Sequence, residues 1–141
     1  MDNSKVMASV DKAIHSLYQV IMVVDRQGHK CQTIDFNPEL GNVADNPTSF
    51  DEFCDNLNEN MHPVDREEFQ RFTFPMNFPE ALKKKVFVSF ECRIRQTDDR
   101  HHWSEITFCH ATEDDSTEGA EYLFLIKDID EEKKKELKED V

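Results

Sequence analysis

Val20-Ile21-Met22-Val23-Val24 and, near the other end of the chain, Tyr122-Leu123-Phe124-Leu125-Ile126 are apolar at every position. A strand with no polar face needs cover on both sides, so these two runs belong in the centre of a sheet, next to each other. Working outward, Asp25-Arg26-Gln27-Gly28 reads as a turn in which Gly28 can take positive φ. It joins the first run to 31–36, where Ile34 and Phe36 are expected on one face, making a hairpin. In 86–94 the even positions are Val86, Val88, Phe90, Cys92 and Ile94, alternating with Ser89, Glu91 and Arg93. That is the period of a half-buried strand. Thr97-Asp98-Asp99-Arg100 turns the chain into 102–111, where Ile106 and Phe108 share a face. Three alternating strands around two apolar ones predict an α+β fold with one five-stranded antiparallel sheet.

The remaining segments read as helices. Val6, Val10, Ile14 and Leu17 lie at spacings of four, four and three, which predicts an amphipathic N-terminal helix over 1–18. All five prolines fall in 37–85, a region of short helices and turns. Ser49-Phe50-Asp51-Glu52 has the form of a capping box, followed by Phe53 and Leu57 on the buried face. His62-Pro63 opens a second helix with Phe69 and Phe72 as its apolar stripe, because proline suits a first helical turn. Asn77-Phe78-Pro79-Glu80 starts a third, shorter one. Three parts follow: the helix 1–18, a core over 19–129 and a charged exit helix over 130–141. The middle helices are expected on one face of the sheet, with the first helix on part of the other.

Composition narrows the function. The 141 residues suit one domain, and an apolar share of 38% with eleven phenylalanines can build a core. Thirty acidic against 17 basic residues give a formal charge of −13. Such a surface repels phosphate backbones and anionic lipid heads, so neither nucleic acid nor membrane insertion is expected. Cys31, Cys54, Cys92 and Cys109 form no CxxC pair, so no zinc ribbon or dithiol site is indicated. No apolar run follows the polar stretch 1–10, and 20–24 is far short of a membrane span, so a cytoplasmic protein with reduced thiols is expected.

Three short motifs add a family resemblance. His62-Pro63-Val64-Asp65-Arg66 resembles the His-Pro-x-Asp-Arg that opens the long helix of many PAS domains. Arg100-His101-His102-Trp103 is similar to the Arg-Trp that starts their fourth strand. Ile126-Lys127-Asp128-Ile129-Asp130-Glu131-Glu132-Lys133 resembles the Asp-Ile-Thr-Glu-x-Lys ending that joins PAS sensors to their outputs. Each motif is weak alone, but they occur in the right order across nearly the whole chain. Two residues depart from the pattern: Asp98-Asp99 replaces the usual Asp-Gly, and Asp130 replaces the usual Thr. Aspartate tolerates the left-handed conformation, so the turn can still form.

The resemblance implies a PAS fold and a sensory, regulatory role, most similar to bacterial PAS domains upstream of diguanylate cyclase or sensor kinase outputs. It places a C-terminal output domain beyond this chain. A stand-alone interaction module is the alternative, and a small cone-shaped isomerase a remoter one. For that enzyme Glu91 and Glu105 are the nearest acids, yet both lie opposite the apolar face of their strands. No glycine-rich phosphate loop or Gly-x-Ser-x-Gly elbow occurs, so no catalytic residue is assigned.

The expected pocket face consists of Phe53, Leu57, Phe69 and Phe72 from helices and Val88, Phe90, Cys92, Ile106 and Phe108 from strands. With no charge among them, this set suits either a phenylalanine-filled core or a small apolar ligand. No cofactor is expected. Cys54 sits in Phe-Cys-Asp-Asn-Leu rather than the Asn-Cys-Arg-Phe-Leu of photoactive flavin PAS domains, and no histidine on the long helix can serve haem. His101 and His102 are adjacent on a strand and point to opposite faces, so no shared metal is expected, and solvent or turn roles suit them. Asp128 and Asp130 mark a signal junction, with Asp130 placed to cap the exit helix and Glu131 to pair with Lys135. Ile129, Leu137 and Val141 form the sparse apolar seam of that helix. Val6, Val10, Ile14 and Leu17 are the expected face of a homodimer.

Overall fold

The computed structural model describes residues 13, 16–40, 49–111 and 122–139. Val6, Val10 and Ile14 lie outside them; Ala13, Ser16 and Leu17 are helical, and Leu17 is 56% exposed. Strands β1 (Val20–Val24) and β2 (Cys31–Phe36) come first. Helix α1 (Phe50–Glu59), a 3-10 turn (Pro63–Asp65) running into α2 (Arg66–Thr73), and α3 (Phe78–Leu82) follow. Strands β3 (Phe87–Arg95), β4 (His101–His110) and β5 (Tyr122–Asp128) and the exit helix α4 (Asp130–Glu139) complete the order.

The five strands form one sheet in the order β2-β1-β5-β4-β3, and all four pairings are antiparallel. The two apolar runs are therefore neighbours, with β5 central and β1 beside it, as their lack of a polar face requires. Val20, Met22, Val24, Phe124 and Ile126 point inward and are fully buried, while Val23, Leu123 and Leu125 are half-buried on the outer face. Asp99 closes the β3–β4 hairpin at φ 62° and Gly28 the β1–β2 hairpin at φ 76°. A side chain at Gly28 would also press on Pro75, 3.1 Å away, and on the Phe78 ring at 3.2 Å.

Two strand expectations need correction. Ile34 and Phe36 do not share a regular face: the register slips between Ile21, opposite Asp35, and Met22, opposite Thr33, leaving Ile34 as the extra residue of a bulge. A bulge inverts the alternation beyond it, and Ile34 ends 50% exposed. Val86 precedes β3 and is 82% exposed, because the strand begins at Phe87.

Helices α1 to α3 lie over the inner face. Ser49 caps α1, its Oγ accepting from the Glu52 N–H at 3.2 Å. The core between helices and sheet is aromatic. Phe124 meets Phe50, Phe53 and Phe108 at ring distances of 5.2, 5.7 and 5.1 Å. Phe78 stacks flat on Phe108 at 4.1 Å.

Candidate functional site

The His62-Pro63-Val64-Asp65-Arg66 stretch is a joint, and each residue has a distinct task in it. His62 Nδ1 accepts from the Val64 N–H at 3.2 Å, and Pro63 starts the 3-10 turn. Arg66 closes the end of α1, donating to the carbonyls of Met61 (3.0 Å) and Glu59 (3.2 Å). Asp65 reaches across to β3. Its carboxylate accepts the Arg93 N–H at 2.9 Å and two guanidinium N–H groups at 3.0 Å each. Burial raises the Asp65 pKa, but those bonds outweigh it and hold the carboxyl below its ordinary value.

Arg93 continues the chain of contacts onto the outer face. Its guanidinium lies 4.8 Å from the Trp103 ring on β4, and the Lys133 ammonium of α4 lies 5.3 Å from the same ring. Lys133 also pairs with Glu91 of β3. The backbone of Trp103 grips the start of α4, because its carbonyl accepts from the Ile129 N–H at 2.9 Å. Its own N–H donates to Asp130 Oδ1 at 3.2 Å. One line of polar contacts thus runs from the helical insert at Asp65, through two strands, to the exit helix.

At the junction itself the capping role expected of Asp130 falls to Asp128, the last residue of β5. Asp128, not Asp130, caps α4, since Asp128 Oδ1 accepts the Asp130 N–H at 2.9 Å. Asp130 begins the helix, and its carboxylate turns back to Trp103 and to Lys134 at 3.2 Å. Burial raises the Asp130 pKa, and the Trp103 and Lys134 bonds more than reverse that. Glu131 reaches Lys134 at 3.8 Å rather than Lys135. In the sparse seam, Ile129 is buried, Leu137 is 61% exposed, and Val141 lies outside the described residues.

His102 is not solvent-facing. Its Nε2 meets Asp98 at 2.8 Å and its Nδ1 meets Asp128 at 3.0 Å, tying the β3–β4 hairpin to the cap of α4. Burial lowers the His102 pKa, but the two aspartates dominate and raise it above its ordinary value. His101 meets His62 edge-to-face at 5.4 Å. His110 Nε2 sits 3.0 Å from the Leu82 carbonyl. Among the described residues, no group of three or more His, Cys, Asp or Glu side chains is placed to hold a metal.

The nine expected pocket residues all belong to one apolar cluster. Phe53, Leu57, Phe69, Cys92, Ile106 and Phe108 are buried within it, while Phe72, Val88 and Phe90 are half-buried at its margin. A cleft of about 510 Å³ opens at that margin, between β3 and the helices α2 and α3. Of the nine residues only Phe72 and Val88 line it; Phe78, Ala81, Phe87, Asn77, Lys85 and Ser89 supply the rest. Burial raises the thiol pKa of Cys92 and of Cys54, and that of Cys31 to about 11. These cysteines stay thiols at neutral pH.

The sheet order, the helical insert on its inner face and the exit helix after β5 define a PAS fold. The chain is similar to an RNA-binding light-oxygen-voltage receptor at 16% identity and a TM-score of 0.55, covering 80% of this chain and 30% of that one. It therefore spans less than a third of that receptor. It is also similar, at 18% identity and a TM-score of 0.49, to the N-terminal domain of a diguanylate cyclase with PAS/PAC sensor from Marinobacter aquaeolei, covering 80% of this chain and 96% of that one. A PAS domain from Colwellia psychrerythraea has the same identity and score over 89% of this chain and 98% of its own. No protein-family model matches the sequence, and no curated protein does. No helix among the described residues is long and apolar enough to cross a membrane.

Proposed function

We propose that this chain is a sensory input module of a signal-transduction protein, which passes changes in its core to an output through α4. The observation that carries the reading is the contact line Asp65–Arg93–Trp103–Lys133. It couples the helical insert, where a ligand would act, to the helix that leaves the domain. An output of the diguanylate cyclase or sensor kinase kind beyond α4 fits the Asp128-Ile129-Asp130 ending. A signal needs an element with two arrangements, and α4 is suited to it. At ten residues it is too short to be stable alone, so its state depends on its docking at Trp103.

A regulatory role fits the carboxylates better than a catalytic one. Glu91 is exposed and paired with Lys133, and Glu105 stands opposite it on the outer face. Neither enters the apolar interior, where an isomerase would need its acid.

The test is to replace Asp130 with Ala and Trp103 with Ala in the intact protein that carries this chain, and to measure output activity beside the melting temperature. Output that no longer follows the state of the sensor, in a folded protein, is the expected result. Unchanged regulation in both variants would refute the route through α4.

A further inference from the structure

We infer that the free edge of β3 is a docking site for an extended acidic peptide, which adds a sixth strand and seats a large apolar side chain in the adjoining cleft. The inference stands apart from the sensory reading. Strand β3 ends the sheet, so half of its backbone groups face away from β4. Arg93 shows which half. Its N–H donates to Asp65 Oδ2 at 2.9 Å, its carbonyl accepts from the His62 N–H at 2.8 Å, and the Arg95 N–H reaches the Asn60 carbonyl at 2.7 Å. By the two-residue period of a strand, Glu91, Ser89 and Phe87 point their N–H and C=O groups the same way. The insert at 60–65 therefore seals the far half of the edge. Among the described residues, no backbone group pairs with the outward groups of 87, 89 and 91.

Three features beside the open half select the occupant. A strand added to β3 would direct alternate side chains to the inner face, into the cleft walled by Phe72, Phe78, Ala81 and Val88. Its volume of about 510 Å³ accommodates a phenylalanine or leucine. Phe87, 59% exposed, would cover the other face of the incoming strand. Lys85 lines the cleft and ends the basic run Lys83-Lys84-Lys85 on a chain of net charge −13; Lys83 is paired with Glu80 at 2.8 Å, and Lys85 faces the cleft. Acidic residues at one end of the peptide complement it. A second copy fits poorly: with the edge sealed from Arg93 onward, an antiparallel β3–β3 pair centred on Ser89 is confined to 87–91 and sets Phe87 of one copy against Glu91 of the other.

The experiment titrates the full chain with the peptide acetyl-Asp-Glu-Thr-Phe-Thr-Val-Thr-amide, followed by amide NMR and fluorescence anisotropy. Binding should shift the amide signals of 87, 89 and 91 and slow their exchange. Replacing the peptide's Phe with Ala, or methylating its alternate backbone nitrogens, should weaken binding about tenfold or more. On the protein side, with Ser89→Ala as the control for the lost Ser89 Oγ–Thr107 Oγ1 contact (3.0 Å), Ser89→Pro removes one outward N–H and leaves the β4 backbone ladder in place, where an edge strand tolerates proline. It should abolish binding, and replacing Lys83, Lys84 and Lys85 with Glu should weaken it and remove its salt dependence. The inference fails if no shift occurs at ~1 mM peptide, or if N-methylation and Ser89→Pro both leave affinity unchanged, since the cleft then binds without the edge. It also fails if the chain alone sediments as a dimer that Ser89→Pro dissolves, because the edge then belongs to a second copy.

Discussion

His102 is held between Asp98 and Asp128, and its charge is thereby linked to the stability of the fold. Its folded pKa lies above the ordinary 6.5. The stabilisation is complete below that unfolded value and is lost as pH rises through the folded one. His102→Gln should therefore lower the melting temperature most near pH 5.5 and less toward pH 8.5, after subtraction from wild type. A difference that grows with pH would contradict the arrangement. Asp65 is the other residue on which much depends, since three hydrogen bonds from Arg93 end on a carboxylate that is 13% exposed. Asp65→Asn should cost about 2 kcal/mol in denaturant unfolding, because Arg93 keeps its charge and loses its partner. A loss within the range of ordinary surface substitutions, about 0.5 kcal/mol, would mean that water replaces the pair easily.

At the scale of elements, α4 is the one whose existence rests on contacts outside itself. Ile129 and Asp130 at its start are buried, none of 131–137 is, and the Trp103 backbone and ring hold the first turn. Trp103→Ala should leave the sheet protected and speed amide exchange across 131–137, which hydrogen-exchange measurement resolves residue by residue. Exchange as slow as wild type would show that the ion pairs of Lys133 and Lys134 suffice. Helix α1 responds differently, because it packs Phe50, Phe53 and Leu57 fully into the core. Removing its cap by Ser49→Ala should cost about 1 kcal/mol without detaching it.

For the whole molecule, the aromatic core joins helices to sheet. Phe124 on the central strand touches Phe50, Phe53 and Phe108, so Phe124→Ala should destabilise the domain by about 3–5 kcal/mol in denaturant unfolding. Association is a separate matter. The stripe Val6, Val10, Ile14 and Leu17 carries the proposal of a homodimer, and Val6→Glu with Val10→Glu should yield a folded monomer in sedimentation. A wild type already monomeric at high concentration would end that proposal.

The order of the strands was legible in the sequence, because strands apolar on both faces have no stable place at a sheet edge. Hairpin turns were legible for the same kind of local reason, since Gly28 and Asp99 tolerate positive φ. The inward residues of β4 and the buried face of α1 followed from periodicity. Periodicity failed at Ile34, where a bulge adds one residue and inverts every later position, and at Val86, where the pattern outran the strand. The roles of Asp128 and Asp130 were decided only by the tertiary structure. Either aspartate has the local geometry to cap α4, and the choice depends on a Trp103 N–H that arrives from another strand. The same is true of His102, whose two aspartates come from a hairpin and from the end of β5, and of the β3 edge, sealed over one half by Asp65. Local pattern sets which face of an element is buried, because that depends on neighbours along the chain; which charges meet depends on packing distant segments, which no spacing records.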